Sequence, residues 1–330
     1  MLRFFQNTGP LSFLLLLIYT GIVHAHHVLT PFNLSDASYS YLSRLLFIDG
    51  LHLQQAPHLV TALVLLVFMP ATGFMLSIAM QRYKLINKPS LIPAVTFVLF
   101  TSFFPGLVYA IPEIACGIIV VIILFKIFSA YNKQHTDMTY FDTGALSAIC
   151  TLLYWPAVVL LLLSILGLFR MRSTSFREFI IYVTGVLIIV FLTGTGLFWF
   201  DHLQVFLDTH PFTSTFFDQP ELTFTTMQLI KLSLIGIVCM MSMVVYMNKM
   251  SSNLIQIRRY QVVILWMFLA GMLAAGLAPA GTDGAWYYLL IPGSMITGYY
   301  FFHSKHVLYT ESAHAVLFVA TIIMQYITFV

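Results

Sequence analysis

A 26-residue apolar run, Gly144 to Phe169, carries Pro156 near its middle and basic residues beyond both ends: Lys126 and Lys133 before it, Arg170, Arg172 and Arg177 after it. Few chain segments leave so little choice of fold. If the run crossed a membrane once, one basic cluster would lie on the outer side, against the inward bias of Lys and Arg. Proline cannot donate to the helical ladder and clashes with the preceding turn. Two half-helices hinged at Trp155 and Pro156 keep both clusters on one side. Each is shorter than the roughly 20 residues a full span needs, so it must be tilted, re-entrant or shielded by neighbours.

The rest of the chain repeats the theme without the break. Apolar runs lie at about 10–28, 58–80, 90–109, 112–130, 179–200, 226–247, 261–279, 286–302 and 313–330. The expected fold is all-α: a polytopic transmembrane bundle of about 9 full spans plus one short Pro-broken hairpin, about 11 crossings, with a cytoplasmic N-terminus. The first run ends in Val-His-Ala-His-His, with small residues Val23 and Ala25 where a signal peptidase would cut; it is read as a retained first span.

Charge placement supports this layout. Of 15 basic residues, only Arg44 and Lys231 fall outside the cytoplasmic side, whereas Asp36, Asp49, Glu113, Asp201, Asp208, Asp218, Glu221 and Asp283 fall on the outer side. Hydrophobic residues make up 60% of the 330 and charged residues 8%, too few charges to coat a water-soluble protein of this size. That excludes a soluble enzyme and a nucleic-acid binder, and points to an integral membrane protein with little outside the bilayer, with lipids as first partners. Cys116, Cys150 and Cys239 sit in apolar runs, which argues against a disulfide framework or a thiolate metal site.

Residues 1–330 form a single membrane domain with two external embellishments, an interfacial helix at about 38–48 and a loop at about 201–224. In the first, Tyr41, Leu45 and Ile48 share one helical face, with serines and Arg44 opposite.

The first external loop runs from an acid, Asp36, through aromatics and an amphipathic helix to Pro57-His58. This order resembles the fold-C (GT-C) membrane glycosyltransferases, which take sugars from polyprenyl-phosphate donors. The segment Phe141 to Phe179, a small-residue half-helix, a proline, a leucine-rich half-helix and a basic stretch, resembles the same group. The resemblance implies that Asp36 is a base or acceptor-orienting residue; the competing reading is an N-cap for the helix that follows. The chain departs from the group in lacking an Asp–Glu pair in the first loop and a large external domain. The stretches Phe141–Val159, Phe176–Phe179 and Phe198–Leu203 are more similar to an uncharacterised family of polytopic inner-membrane proteins, mainly of Bacteroidota. That family implies location and topology but no reaction.

Other ionisable residues carry two readings each. Glu113, in Ile-Pro-Glu-Ile, either starts a helix at the interface or joins Asp36 and Arg44 around a substrate phosphate in an external cavity. Lys231 either snorkels or meets a phosphate or carboxylate. Arg170, Arg172 and Arg177 suit anionic lipid headgroups or a protein partner. Asp142 reads as the cap of the broken hairpin, and Trp155 with Pro156 as its structural hinge. His24 and His27 share a helical face, but no carboxylate or cysteine stands at ligand spacing, so no metal is assigned.

Two functions follow. One is sugar transfer from a polyprenyl-phosphate lipid at the periplasmic face, with Asp36 catalytic and Arg44, Glu113 and Lys231 around the phosphate; apart from that lipid no cofactor is implied. The other is a non-catalytic subunit or scaffold, with protein partners in an inner-membrane envelope or secretion complex. A transporter ranks third, because only one broken hairpin is evident where inverted repeats would give two.

Overall fold

The computed structural model describes residues 2–6, 8–26, 40–50, 58–108, 110–133, 135–173, 175–209, 226–278, 283–304 and 307–327. Among them every regular element is helical. In chain order these are α1 (Pro10–Val23), a short segment Tyr41–Gly50, α2 (His58–Arg82), α3 (Ile92–Ser102), α4 (Ile111–Ser129), α5 (Asp137–Leu153), α6 (Val159–Met171), α7 (Phe176–Trp199), α8 (Leu203–Thr209), α9 (Thr226–Met250), α10 (Ile255–Leu277), α11 (Tyr287–His303) and α12 (Val307–Ile327). Four stretches are long and apolar enough to cross a membrane: α4, α7, α10 and Leu229–Met250 within α9. α1, α3 and the second half of the broken hairpin, Trp155–Met171, are apolar but shorter.

Local chemistry sets the helix ends. Proline stands in the first turn of α1, α3 and α4, where its missing N–H costs nothing. Lys84, Asn132 and Asp201 take the left-handed conformation just past α2, α4 and α7 and turn the chain out of each helix. The run at 90–109 yields only the 11 residues of α3, because Pro105 and Gly106 divert the chain into a 3-10 turn, Pro105–Val108. Two further 3-10 turns occur at Trp155–Val158 and Asp283–Trp286.

The broken hairpin forms as its sequence implies. The chain leaves α5 at Tyr154 in an extended conformation, turns through Trp155–Val158 with Pro156 in the first positions, and re-enters as α6. Asp142 does not cap it. The helix begins earlier, at Asp137, so Asp142 lies in its second turn and pairs with Lys126 of α4 at 2.6 Å.

Against this hairpin lies α7, at backbone distance. A Cβ on Gly144 would stand 2.3 Å from the Tyr182 carbonyl, and one on Gly185 would stand 2.4 Å from the Phe141 carbonyl. The two glycines face each other's helix, the small-residue packing that holds helices together where no hydrophobic effect acts between them. Hydroxyls complete the seam: Ser147 donates to Ser164 at 3.0 Å, Ser164 meets the Tyr182 hydroxyl at 2.8 Å, and Tyr182 donates to the Leu161 carbonyl at 2.8 Å.

The helix ends sort into two sets. At one end Arg172 donates to the Lys133 carbonyl at 2.6 Å, Arg177 meets Asp137 at 2.5 Å, Arg259 donates to the Met171 carbonyl at 2.9 Å, and Lys249 donates to the His303 carbonyl at 3.2 Å. These contacts gather the C-terminal ends of α4, α6, α9 and α11 with the N-terminal ends of α5, α7 and α10. Cations there satisfy carbonyls that helix ends leave unbonded. At the other end lie the start of α4, the hairpin turn, the last turn of α7 and the start of α11.

Candidate functional site

The end opposite the basic cluster holds two features, one apolar and one polar. The apolar one is a groove of about 590 Å3 between the Tyr41–Gly50 segment and the ends of α5 and α7. Leu42, Leu45, Ile149, Leu152, Ile189 and Leu197 supply most of its wall, and His202 stands at its margin. Tyr41 closes one side by a 2.9 Å bond between its hydroxyl and His202 Nδ1.

The wall exists because the Tyr41–Gly50 segment is tied to the hairpin. Pro156 and the extended Tyr154 deprive the last α5 carbonyls of helical partners. Ser40 caps its own segment through the Ser43 amide and also donates to the Leu153 carbonyl at 2.8 Å, and Ser43 donates to the same carbonyl. The sequence placed the serines on the outward face. Ser43 is instead fully buried, because an unbonded carbonyl inside an apolar bundle costs more than a turned helix. After one α-turn the segment winds as a π-helix from Arg44 to Gly50, with Ile48 buried and Arg44 exposed.

The polar feature centres on Glu113. It is the third residue of α4 and 2% exposed, and its carboxylate folds back on its own amide. The backbone of the Asp283–Trp286 turn lies on it: a Cβ at Gly284 would stand 2.6 Å from Glu113 Oε1. Among the described residues no ion pair includes Glu113. The Tyr154 hydroxyl is within electrostatic reach of Glu113 and Cys116. Tyr154 stacks on Tyr288 with centroids 5.5 Å apart and planes 10° from parallel. Both rings are buried; among the described residues the Tyr154 hydroxyl has no hydrogen-bond partner, while the Tyr288 hydroxyl lies against the Cys116 thiol. Cys116 and Cys150 each direct a thiol at the other's carbonyl, at 3.8 Å.

The residues singled out from sequence therefore separate. Arg44 is exposed in the Tyr41–Gly50 segment, whereas Glu113 is buried at the start of α4. Asp36 lies outside the described residues. Lys231 is buried in the first turns of α9. Arg172 and Arg177 are engaged with the chain itself, and Arg170 is half-buried at the end of α6. Sequence reading passed over Tyr154 and Tyr288. The available signal was a tyrosine two residues before Pro156, and a second just after the Gly284 turn.

Compared with protein-family models, curated proteins and solved structures, the chain matches none.

Proposed function

We propose that the chain is a multi-pass protein of the bacterial inner membrane, with a cytoplasmic N-terminus and about 11 crossings, that receives a polyprenyl-phosphate-linked sugar at its periplasmic face. On this reading it acts on the plan of the fold-C transferases, with Asp36 as base. The carrying observation is the groove: an aliphatic wall of suitable volume at the end away from the basic cluster. An isoprenoid chain would lie against Leu42, Leu45 and Leu152, and its phosphate would meet His202 at the margin, with Arg44 on the same short segment as Leu42 and Leu45.

The sidedness rests on the contacts that bring Arg172, Arg177, Lys249 and Arg259 to one end, since basic loops stay in the cytoplasm. A non-catalytic subunit is the second reading. It is favoured by α7, which packs on α5 but leaves Phe191, Leu192, Phe198 and Trp199 exposed.

Gly196 lines the groove, and a Cβ added there meets nothing within 4 Å. Gly196→Trp therefore fills the groove without disturbing the fold. Purification in native lipid followed by mass spectrometry should find a polyprenyl phosphate on the wild type and not on Gly196→Trp, with function lost in Asp36→Asn. A stoichiometric partner chain, no bound polyprenyl lipid and an unaffected Asp36→Asn would make the protein a subunit.

A further inference from the structure

The apolar groove carries one polar contact at its margin, the 2.9 Å bond between the Tyr41 hydroxyl and His202 Nδ1. We propose that these two side chains form a phosphate clasp: they bond each other here, and each turns to a phosphate oxygen when a phosphate-headed prenyl lipid enters. The clasp rests on the lipid reading of the groove given above, and adds to it the residue pair that selects the headgroup.

The backbones on both sides of the groove are pinned. Ser40, which caps the Tyr41–Gly50 segment, donates to the Leu153 carbonyl at 2.8 Å, so Tyr41 starts from a fixed point on the broken hairpin. Across the groove, Asp201 takes the left-handed conformation and the His202 amide donates to the Leu197 carbonyl at 2.8 Å, closing the end of α7. The His202 carbonyl then accepts from the Phe206 amide at 3.0 Å, at the start of α8. Freedom is left to the two side chains. His202 is exposed and Tyr41 half-buried, so their bond competes with water and is readily exchanged. The Ser43 bond to Leu153, by contrast, is buried and holds the segment in place.

The chemistry selects the headgroup. A phenol donates its O–H, and an imidazole offers an N–H in either tautomer, whereas phosphate oxygens accept. Bonded to each other, Tyr41 and His202 use one donor between them; on a phosphate they use two. Hydrogen bonds to an ionised oxygen are also roughly twice as strong as neutral ones. A prenyl alcohol presents one neutral hydroxyl and gains neither advantage. Free phosphate brings no tail to bury against Leu42, Leu45 and Leu152, so the groove contributes nothing to its binding.

The test places the full chain in nanodiscs doped with undecaprenyl phosphate or undecaprenol and reads by native mass spectrometry the fraction carrying each. The wild type should favour the phosphate about a hundredfold, roughly tenfold for each bond. Tyr41→Phe and His202→Phe should each cut that preference about tenfold, and the ratio cancels any general loosening of the protein. Excess inorganic phosphate should displace neither lipid. An unchanged preference in both variants, with Gly196→Trp still excluding both lipids, would overturn the clasp alone. A wild type that binds neither lipid better than Gly196→Trp does would overturn the groove reading and the clasp with it. Displacement by inorganic phosphate would overturn the assignment to a lipid headgroup.

Discussion

Two glutamates occupy the same position in two helices and live differently. Glu178 and Glu113 are each the third residue of their helix, α7 and α4, and each is buried. Glu178 accepts from the Ser175 amide at 2.9 Å and from the Thr136 hydroxyl at 2.8 Å, and Arg172 stands 3.7 Å away. Ser175 completes a capping box, so one carboxylate joins the starts of α5 and α7 to the end of α6. Glu113 has alanine at its N-cap, folds back on its own amide and is covered by Gly284. The same residue in the same helical turn binds three neighbours at the basic end and turns to its own amide at the other. The basic end ties several helices together through one carboxylate; at the opposite end the same residue ties none.

That contrast can be broken most severely where α5 meets α7. Gly185→Leu would drive a side chain into the Phe141 carbonyl and part the helices that Glu178 anchors. A loss of about 3 kcal/mol or more is expected, seen as a collapse of the unfolding midpoint in detergent. Glu178→Gln should remove the charge behind three contacts and cost about 2 kcal/mol, read by chemical unfolding in mild detergent. Glu113→Gln should stay within about 0.5 kcal/mol of the wild type or stabilise it, since the amide oxygen can still accept from the residue's own backbone N–H and no ion pair among the described residues is lost. If the two glutamate variants cost the same, the contrast fails.

Finer effects follow the same division. Ser43→Ala uncovers the Leu153 carbonyl at the broken turn and should cost about 1 kcal/mol; faster hydrogen exchange in the Tyr41–Gly50 segment would confirm that it has loosened. Arg177→Ala removes an ion pair whose arginine side chain is 77% exposed. It should change stability by no more than about 0.5 kcal/mol, and by less as salt is raised.

Much of the fold was legible because single residues enforce it. Pro156 with its flanking charges implied a hairpin, and the hairpin is there. The ten apolar runs each hold helix, and the helix ends follow proline and left-handed turns. Residues whose role depends on a distant neighbour were read wrongly or missed. Asp142 looked like a cap; Lys126, sixteen residues away in another helix, claims it. Gly144 and Gly185 carry no local signal, since their purpose is the carbonyl opposite.

By itself, the sequence determined that this chain is helical, that its apolar runs belong in a membrane and that one of them folds back at Pro156. Periodicity, composition and the missing proline N–H act within one segment and need no partner to be read. Only the tertiary structure decided which carbonyl Ser43 satisfies, which helix Gly185 touches and which of two equivalent glutamates joins neighbouring helices. Those outcomes turn on hydrogen bonds and close contacts between segments up to 110 residues apart, and in an apolar interior every unmet polar group makes the choice of neighbour decisive.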